Sequence, residues 1–426
     1  MAAITSAVDT AVDTAGPTGS EETHVAPPWP LMEKLKYGAL AYGITKLVMT
    51  PMNMITAIKT DYLGSSPNKP DLVKTMPSRT MLPVRVFLPK SHSPSNPERS
   101  KEKLPTLLTI HGGGFVLGSP YDNDGWNRRF VELTSDAGTP FCVIALDYRK
   151  APSYPFPTAI HDLEAVILDL LGKPSTPATH DDLPIDTDRV AIAGWSAGGN
   201  LSLSVSQLPD VKPLIKAVIP MYPVVDFVTP STLKAKARRY KPALGGFRGR
   251  NTDFLTSMMN MFNWSYVSPG QNMSDPLLSP FYAIDHEKIG PGTEHAWKKV
   301  IGREKFPSNV FIVACELDLL ANEAWRLACK LSDKEVPGVE ETIGREEPGE
   351  RGKCEFEDER FHWWDNLTVD GKKWRYRWLL VPDVIHGYDH ENIGSLIRDE
   401  EAVKDGLEKR EEVMEEVRQW LLDGIF

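Results

Sequence analysis

Two kinds of apolar pattern alternate along this chain. LPTLLTI (104–110) and FCVIALDY (141–148) are continuous apolar runs of strand length. Such runs suit strands buried on both faces of a parallel sheet. TMLPVRVFLP (80–89) alternates as a half-buried strand does, and RVAIAGWS (189–196), IKAVIPMY (215–222), NVFIVACE (309–316) and WRYRWLLVP (374–382) continue the series. Between them, Ala159, Leu163, Val166 and Leu170 fall on one helical stripe, which Gly172 and Pro174 end. A second helix is predicted over about 322–331. A third, charged and amphipathic, is predicted over 400–422, with Val403, Leu407, Val413, Val417 and Leu421 among its apolar positions. Strands alternating with helices predict an α/β fold with a parallel-dominated central sheet flanked by helices.

Breaks in this alternation mark the organisation. Residues 1–28 are rich in Ala, Thr, Ser, Gly and Pro and carry four acidic side chains, so they read as a disordered tail with no secretory leader. Two insertions interrupt the series, at about 224–305 and 334–372. The second is rich in Glu, Gly and Lys and reads as a mobile surface excursion, with a partner-binding element as the alternative. The segment YGALAYGITKLVMTPMNMI (37–55) has the length of a membrane span, but Gly38, Gly43 and Pro51 interrupt it and Lys46 sits at its centre. It reads as a buried or lid helix. The alternative is a helix lying weakly on a membrane surface.

The net charge of −10 argues against a nucleic-acid partner. The most basic stretch, 234–250, reads as a solvated loop near a pocket. Cys142, Cys315, Cys329 and Cys354 have no paired spacing, which argues against a disulfide framework or a zinc site and fits a reducing, cytoplasmic setting. Membrane attachment through the N-terminal segment is the alternative localisation.

The candidate chemistry lies at AIAGWSAGGN (191–200). Gly194 and Gly198 flank Ser196 in G-x-S-x-G spacing, between a strand and a helix-compatible run. Such a turn lifts a serine hydroxyl off the sheet and aims the first amides of the helix at it. Three further features belong with it. HGGGF (111–115) follows a strand, and its glycines let backbone N–H groups face a small anion. Glu316 and Asp318 stand at the C-terminal end of the strand 309–316, and Asp318 is favoured because Glu316 still belongs to the strand end. His386 follows the last strand and is favoured over His390, which lies further into the next polar segment.

Together with DYRKAPSYPFPTAIHD (147–162), YPVVDF (222–227), DPLLSPFYA (275–283), ELDLLANEA (316–324) and IHGYDH (385–390), these motifs resemble the hormone-sensitive-lipase-like branch of the α/β-hydrolases over about 80–425. The resemblance implies an α/β-hydrolase fold at 76–426. It also implies an N-terminal cap of lid helices at 29–75, a serine carboxylesterase acting on a small or medium apolar ester, and no metal or other cofactor. It makes Ser196 the nucleophile, His386 the base and Asp318 its orienting acid, with the amides of Gly113, Gly114 and Ala197 as the oxyanion hole. Trp195 is expected to pack under the serine turn or, with Phe115, to line the substrate pocket. Oligomeric state is left open.

Three departures accompany the resemblance. Trp195 stands where the family usually has Asp, Glu316 where it often has Gly, and 68 residues separate Asp318 from His386, about twice the family's spacing. A pocket reshaped by Trp195 and the insertions would favour elimination or ring closure, so a lyase or cyclase on a natural-product intermediate is one alternative. A non-catalytic small-molecule receptor is another.

Overall fold

The computed structural model describes residues 24–63, 66–172, 182–287, 299–369, 371–390, 394 and 397–426. Its strands are β1 (Leu72–Met76), β2 (Arg79–Phe87), β3 (Leu104–Ile110), β4 (Cys142–Leu146), β5 (Ile185–Trp195), β6 (Ala217–Met221), β7 (Asp285–Glu287), β8 (Lys299–Ile301), β9 (Asn309–Cys315), β10 (His362–Val369) and β11 (Lys372–Val381). Nine of them form one sheet in the order β1-β2-β4-β3-β5-β6-β9-β11-β10. The middle of that sheet, from β4 to β11, is parallel, and antiparallel pairs close both edges. β7 and β8 pair separately.

The helices are α1 (Leu31–Gly43), α2 (Thr50–Ala57), α3 (Asp124–Asp136), α4 (Thr158–Leu171), α5 (Ala197–Val205), α6 (Ser231–Ala237), α7 (Phe254–Tyr266), α8 (Ala321–Leu331) and the C-terminal helix Glu400–Leu422. Successive residues of a strand point to opposite faces. Leu108, Ile144, Ile192 and Ile312 therefore enter the core beneath α4, α5 and α8. Their neighbours Leu107, Val143, Ala191 and Phe311 enter a second core with Trp126 and Phe130 of α3 and with Val413 and Val417 of the C-terminal helix. The uninterrupted apolar runs in the sequence are this two-sided burial.

The predicted strands and helices all occur, within a few residues at their ends, and the C-terminal helix has the predicted bounds. Four expectations need correction. First, residues 1–23 of the predicted tail lie outside the described residues, but the tail does not extend to 28: Val25 pairs with Asn272, and the Ala26 amide donates to the Gln271 carbonyl at 2.8 Å. Second, the strand series does not close at 374–382. β10, inside the second insertion, pairs antiparallel with β11 and becomes the sheet edge. Its half-exposed pattern, with a Trp-Trp pair and alternating polar residues, lacks the apolar run of a central strand.

Third, the stretch 234–250 is not a solvated loop. Lys234 and Lys241 are buried and paired with Glu323 and Glu316. Fourth, of the two forms expected for the segment 37–55, a buried helix or a lid helix, the buried one falls. The segment belongs to a helical run over 31–62 with π-type stretches at Ile44–Met49 and Ile58–Tyr62. Tyr37 and Ala41 are buried, whereas Leu40, Leu47, Val48, Met52, Met54 and Ile55 are exposed. Among the described residues no helix is long and apolar enough to cross a membrane.

Candidate active site

Ser196 stands between the end of β5 and the first residue of α5, with φ 56° and ψ −114°. A non-glycine residue in that region is strained. The turn closes because its flanking positions carry no side chain. A Cβ on Gly194 would lie 2.1 Å from the Gly198 carbonyl oxygen, and one on Gly198 would lie 2.2 Å from the Ile110 oxygen of β3. The Ser196 amide donates to the Met221 carbonyl at 2.9 Å, which ties the turn to the end of β6.

The structure brings three distant side chains together. His386 Nε2 lies 2.8 Å from Ser196 Oγ, and His386 Nδ1 lies 2.7 Å from Asp318 Oδ2. Asp318 is buried, and its Oδ1 accepts the Leu320 amide at 3.0 Å. With Nδ1–H donating to this carboxylate, Nε2 is left to accept the Ser196 hydroxyl proton. Burial of the His386 ring works against its charging, but the Asp318 carboxylate, helped by Asp253 and Asp389, outweighs that and raises its pKa above 6.5. Glu316 turns away to Lys241, and His390 lies 3.4 Å from the Asp122 carbonyl. Neither joins the Ser196 cluster.

The glycine loop after β3 passes beside the serine. A Cβ on Gly112 would lie 3.4 Å from Ser196 Cβ. Gly113 has φ 107° and Gly114 φ 60°. Among the described residues, the N–H groups of Gly113, Gly114 and Ala197 have no backbone or side-chain acceptor. His111 anchors the loop: Nδ1 is 2.7 Å from the Gly112 carbonyl, Nε2 is 3.0 Å from Asp147 Oδ1, and the ring stacks on Tyr148. Burial lowers the His111 pKa, as does nearby Lys150, while the Asp147 carboxylate works against them. α7, from the first insertion, supplies apolar walls. Phe262 covers Gly114, and the Phe254 ring centroid is 6.4 Å from that of His386.

The two expected pocket residues lie elsewhere. Trp195 is fully buried in the second core, edge-on to Trp126, and its Nε1 donates to Asp389 Oδ2 at 2.8 Å. Phe115, with φ 65°, is 2% exposed and stacks on Tyr266 at 3.7 Å between centroids. Neither side chain lines a pocket: Trp195, the last residue of β5, faces the second core with Ala191 and Ala193, which is the packed placement that was its alternative, and Phe115 turns inward at its positive φ. So placed, Trp195 shapes no pocket that would favour elimination or ring closure.

Sequence reasoning missed the residues behind the cluster. Tyr222 donates to Asp389 Oδ1 at 2.5 Å, and its ring meets the His386 ring edge-on. Asp253 caps α7 through the Leu255 amide and accepts the Leu319 amide at 3.0 Å. An Asp just before a helical run is an N-cap signature, and Asp253 carries it ahead of α7. Asp389 gave no comparable sign. No group of His, Cys, Asp and Glu able to hold a metal occurs among the described residues.

Residues 107–344 match the sequence profile of a family described by its α/β-hydrolase fold. The chain is 29% identical over 262 residues to an arylesterase of Saccharolobus solfataricus, covering 60% of this chain and 68% of that protein. It is 32% identical over 157 residues to arylacetamide deacetylase of Bos taurus, covering 35% of this chain and about a third, 36%, of that protein. A fungal esterase from Rhizomucor miehei shares the fold, with a TM-score of 0.55, 19% identity and coverage of 94% of this chain and 98% of that one. By that profile, which spans more than half its length, the chain belongs to the α/β-hydrolase fold family, in its hormone-sensitive-lipase-like branch.

Proposed function

We propose that the protein is a serine carboxylesterase that cleaves small or medium apolar esters through an acyl-enzyme. The observation that carries this reading is the hydrogen-bonded chain Ser196–His386–Asp318 beside three amides without acceptors. Its relatives named arylesterase and ethyl acetate hydrolase support the ester class.

In the first step Nε2 of His386 takes the Ser196 proton as Oγ attacks the ester carbonyl. Asp318 holds the ring in the required tautomer and stabilises the imidazolium. The Gly113, Gly114 and Ala197 amides receive the oxyanion, where one lost donor typically costs about 3 kcal/mol. The tetrahedral intermediate expels the alcohol, which takes its proton from His386. Water, deprotonated by the same ring, then releases the acid and restores Ser196.

Phe254 and Phe262 form the apolar side of the acyl or alcohol site. The helical run 31–62 acts as a cap. Its Thr45, Met49 and Asn53 line a cleft of about 380 Å³ against Val116–Ser119 and the loop 147–154. Its exposed apolar residues, beside Lys46 and Lys59, also suit weak contact with a membrane surface, tested by co-sedimentation with anionic vesicles. Four free, buried cysteines support a cytoplasmic setting.

A chain-length series of p-nitrophenyl esters, run beside Ser196→Ala, tests the reading. Hydrolysis that peaks at short or medium acyl chains and disappears in Ser196→Ala is expected. Full hydrolysis in Ser196→Ala overturns it.

A further inference from the structure

Behind the acid and the base lies a second, fully buried cluster that the sequence pattern does not announce. Lys241, from the first insertion, is 0% exposed. Its Nζ donates to Glu316 Oε2 at 2.7 Å, to Asp383 Oδ1 at 2.6 Å and to the Glu347 carbonyl at 3.0 Å. Those three bonds use every proton of the ammonium. The carboxylates are equally occupied. Glu316 Oε2 also accepts the Asp383 amide at 2.9 Å, Glu316 Oε1 accepts the Arg345 amide at 2.8 Å, and Asp383 Oδ2 accepts the Gly349 amide at 2.5 Å.

The positions of these groups give the cluster its meaning. Glu316 stands two residues before Asp318, and Asp383 stands three residues before His386. Asp383 is held at φ 59°, a backbone state unfavourable to a side-chain-bearing residue. Residues 344–349 of the second insertion seal the cluster from outside, and Gly344 makes the seal possible. With φ 88°, it approaches Glu316 so closely that a Cβ there would lie 2.2 Å from Oε1 and 2.8 Å from Cδ. Because both oxygens of Glu316 are committed, that clash cannot be relieved without breaking a bond of the cluster.

We infer that Lys241, Glu316 and Asp383 form a positioning cluster that fixes the Asp318 and His386 loops relative to each other, and that the second insertion serves to close it. None of the three touches the reacting atoms. They act through the loops. A buried cation between two buried anions is a weak source of net stability, because desolvation offsets the attraction. What such an arrangement supplies is geometry. Proton transfer needs that geometry, since misplacements of about 1 Å can cost 10²-fold in rate. The inference rests on the esterase reading for its kinetic consequence but not for its structural one.

Lys241→Met and Gly344→Ala test it, with Val166→Ala in α4 as a destabilised control remote from the cluster. Two measurements are made on full-length protein: kcat and KM for p-nitrophenyl acetate, and the downfield proton resonance of His386 Nδ1–H, which reports the bond to Asp318 without any turnover. Lys241→Met is expected to lower kcat about 10- to 100-fold with KM within about twofold, and to weaken the resonance. Gly344→Ala, which leaves every charge in place, is expected to move both in the same direction by less. Val166→Ala is expected to lower Tm and leave both unchanged. If Lys241→Met does not fold, Gly344→Ala alone decides. Wild-type kcat and an intact resonance in either folded variant overturn the inference. A wild-type protein that cleaves no ester, yet loses the resonance in both variants, overturns the esterase reading and leaves the positioning cluster standing.

Discussion

The indole of Trp195 donates to Asp389 at 2.8 Å, joining the residue before Ser196 to the residue three after His386. Tyr222, at the end of β6, donates to the other oxygen of the same carboxylate. One buried anion thus links the serine turn, the strand beside it and the histidine loop. Family members with Asp before the nucleophile do not have this indole donor, so the link belongs to this chain's own departure from the pattern.

Trp195→Phe keeps the aromatic packing on Trp126 and removes the Nε1 donor. Leaving a buried carboxylate oxygen short of a partner typically costs about 1–3 kcal/mol. Urea unfolding should show a midpoint lowered to that extent with the slope unchanged. An unchanged midpoint would mean that a solvent molecule replaces the indole.

Asp318→Asn retains the shape of the acid but not its charge. An amide in that place can favour the wrong imidazole tautomer, leaving Nε2 protonated and unable to accept from Ser196. By analogy with serine proteases, kcat should fall on the order of 10⁴-fold. Steady-state kinetics on p-nitrophenyl acetate reads this directly, and fluorophosphonate labelling of Ser196 should slow in parallel.

The pH dependence follows from His386. Its neutral ring is the base in the proposed reaction, and its pKa is raised above 6.5. kcat/KM should therefore rise with pH through an apparent pKa above 6.5. The stability consequence has the opposite sense. The folded state holds this proton more tightly than the unfolded chain does, so the contribution is complete below 6.5 and fades as pH rises through the folded value. Asp253 is among the anions that raise this pKa, so Asp253→Asn should move the acid limb of the profile to lower pH. A limb that stays in place removes Asp253 from the site's electrostatics.

Gly194→Ala tests the serine turn itself. A Cβ 2.1 Å from the Gly198 carbonyl forces β5 and α5 apart. Overpacking of this kind costs about 1–3 kcal/mol and occasionally more. Differential scanning calorimetry should record a lowered Tm, and ester hydrolysis should fall further than stability because Ser196 moves with the turn. A variant with wild-type Tm and rate would show that strand and helix have room to spare.

Much of this protein was legible before any coordinates. The runs 104–110 and 141–148 announced central strands because burial on both faces leaves no polar position to alternate. Gly194, Ser196 and Gly198 announced the turn because a close approach of backbones is a local requirement, written in adjacent residues. Gly113 and Gly114 were legible for the same reason. The order of Ser196, Asp318 and His386 suggested a shared site, and His386 does lie within hydrogen-bond reach of both the others.

Other features were settled by tertiary structure alone. Trp195 and Phe115 flank the candidate residues in sequence but enter the core: Trp195 shares the β5 face of Ala191 and Ala193, which only packing assigns to the second core, and Phe115 turns inward at a positive φ that composition does not reveal. β10 was hidden because a half-exposed edge strand, with only Trp363 and Leu367 packed on the core, needs no continuous apolar run. Lys241 read as solvated because a lone lysine almost always is. Its partners stand 75 and 142 residues away, and burial of its charge becomes affordable only when the fold delivers both carboxylates to it. Local steric demands leave their mark in neighbouring residues. Pairings between distant charges leave none, and they exist only once the chain has folded.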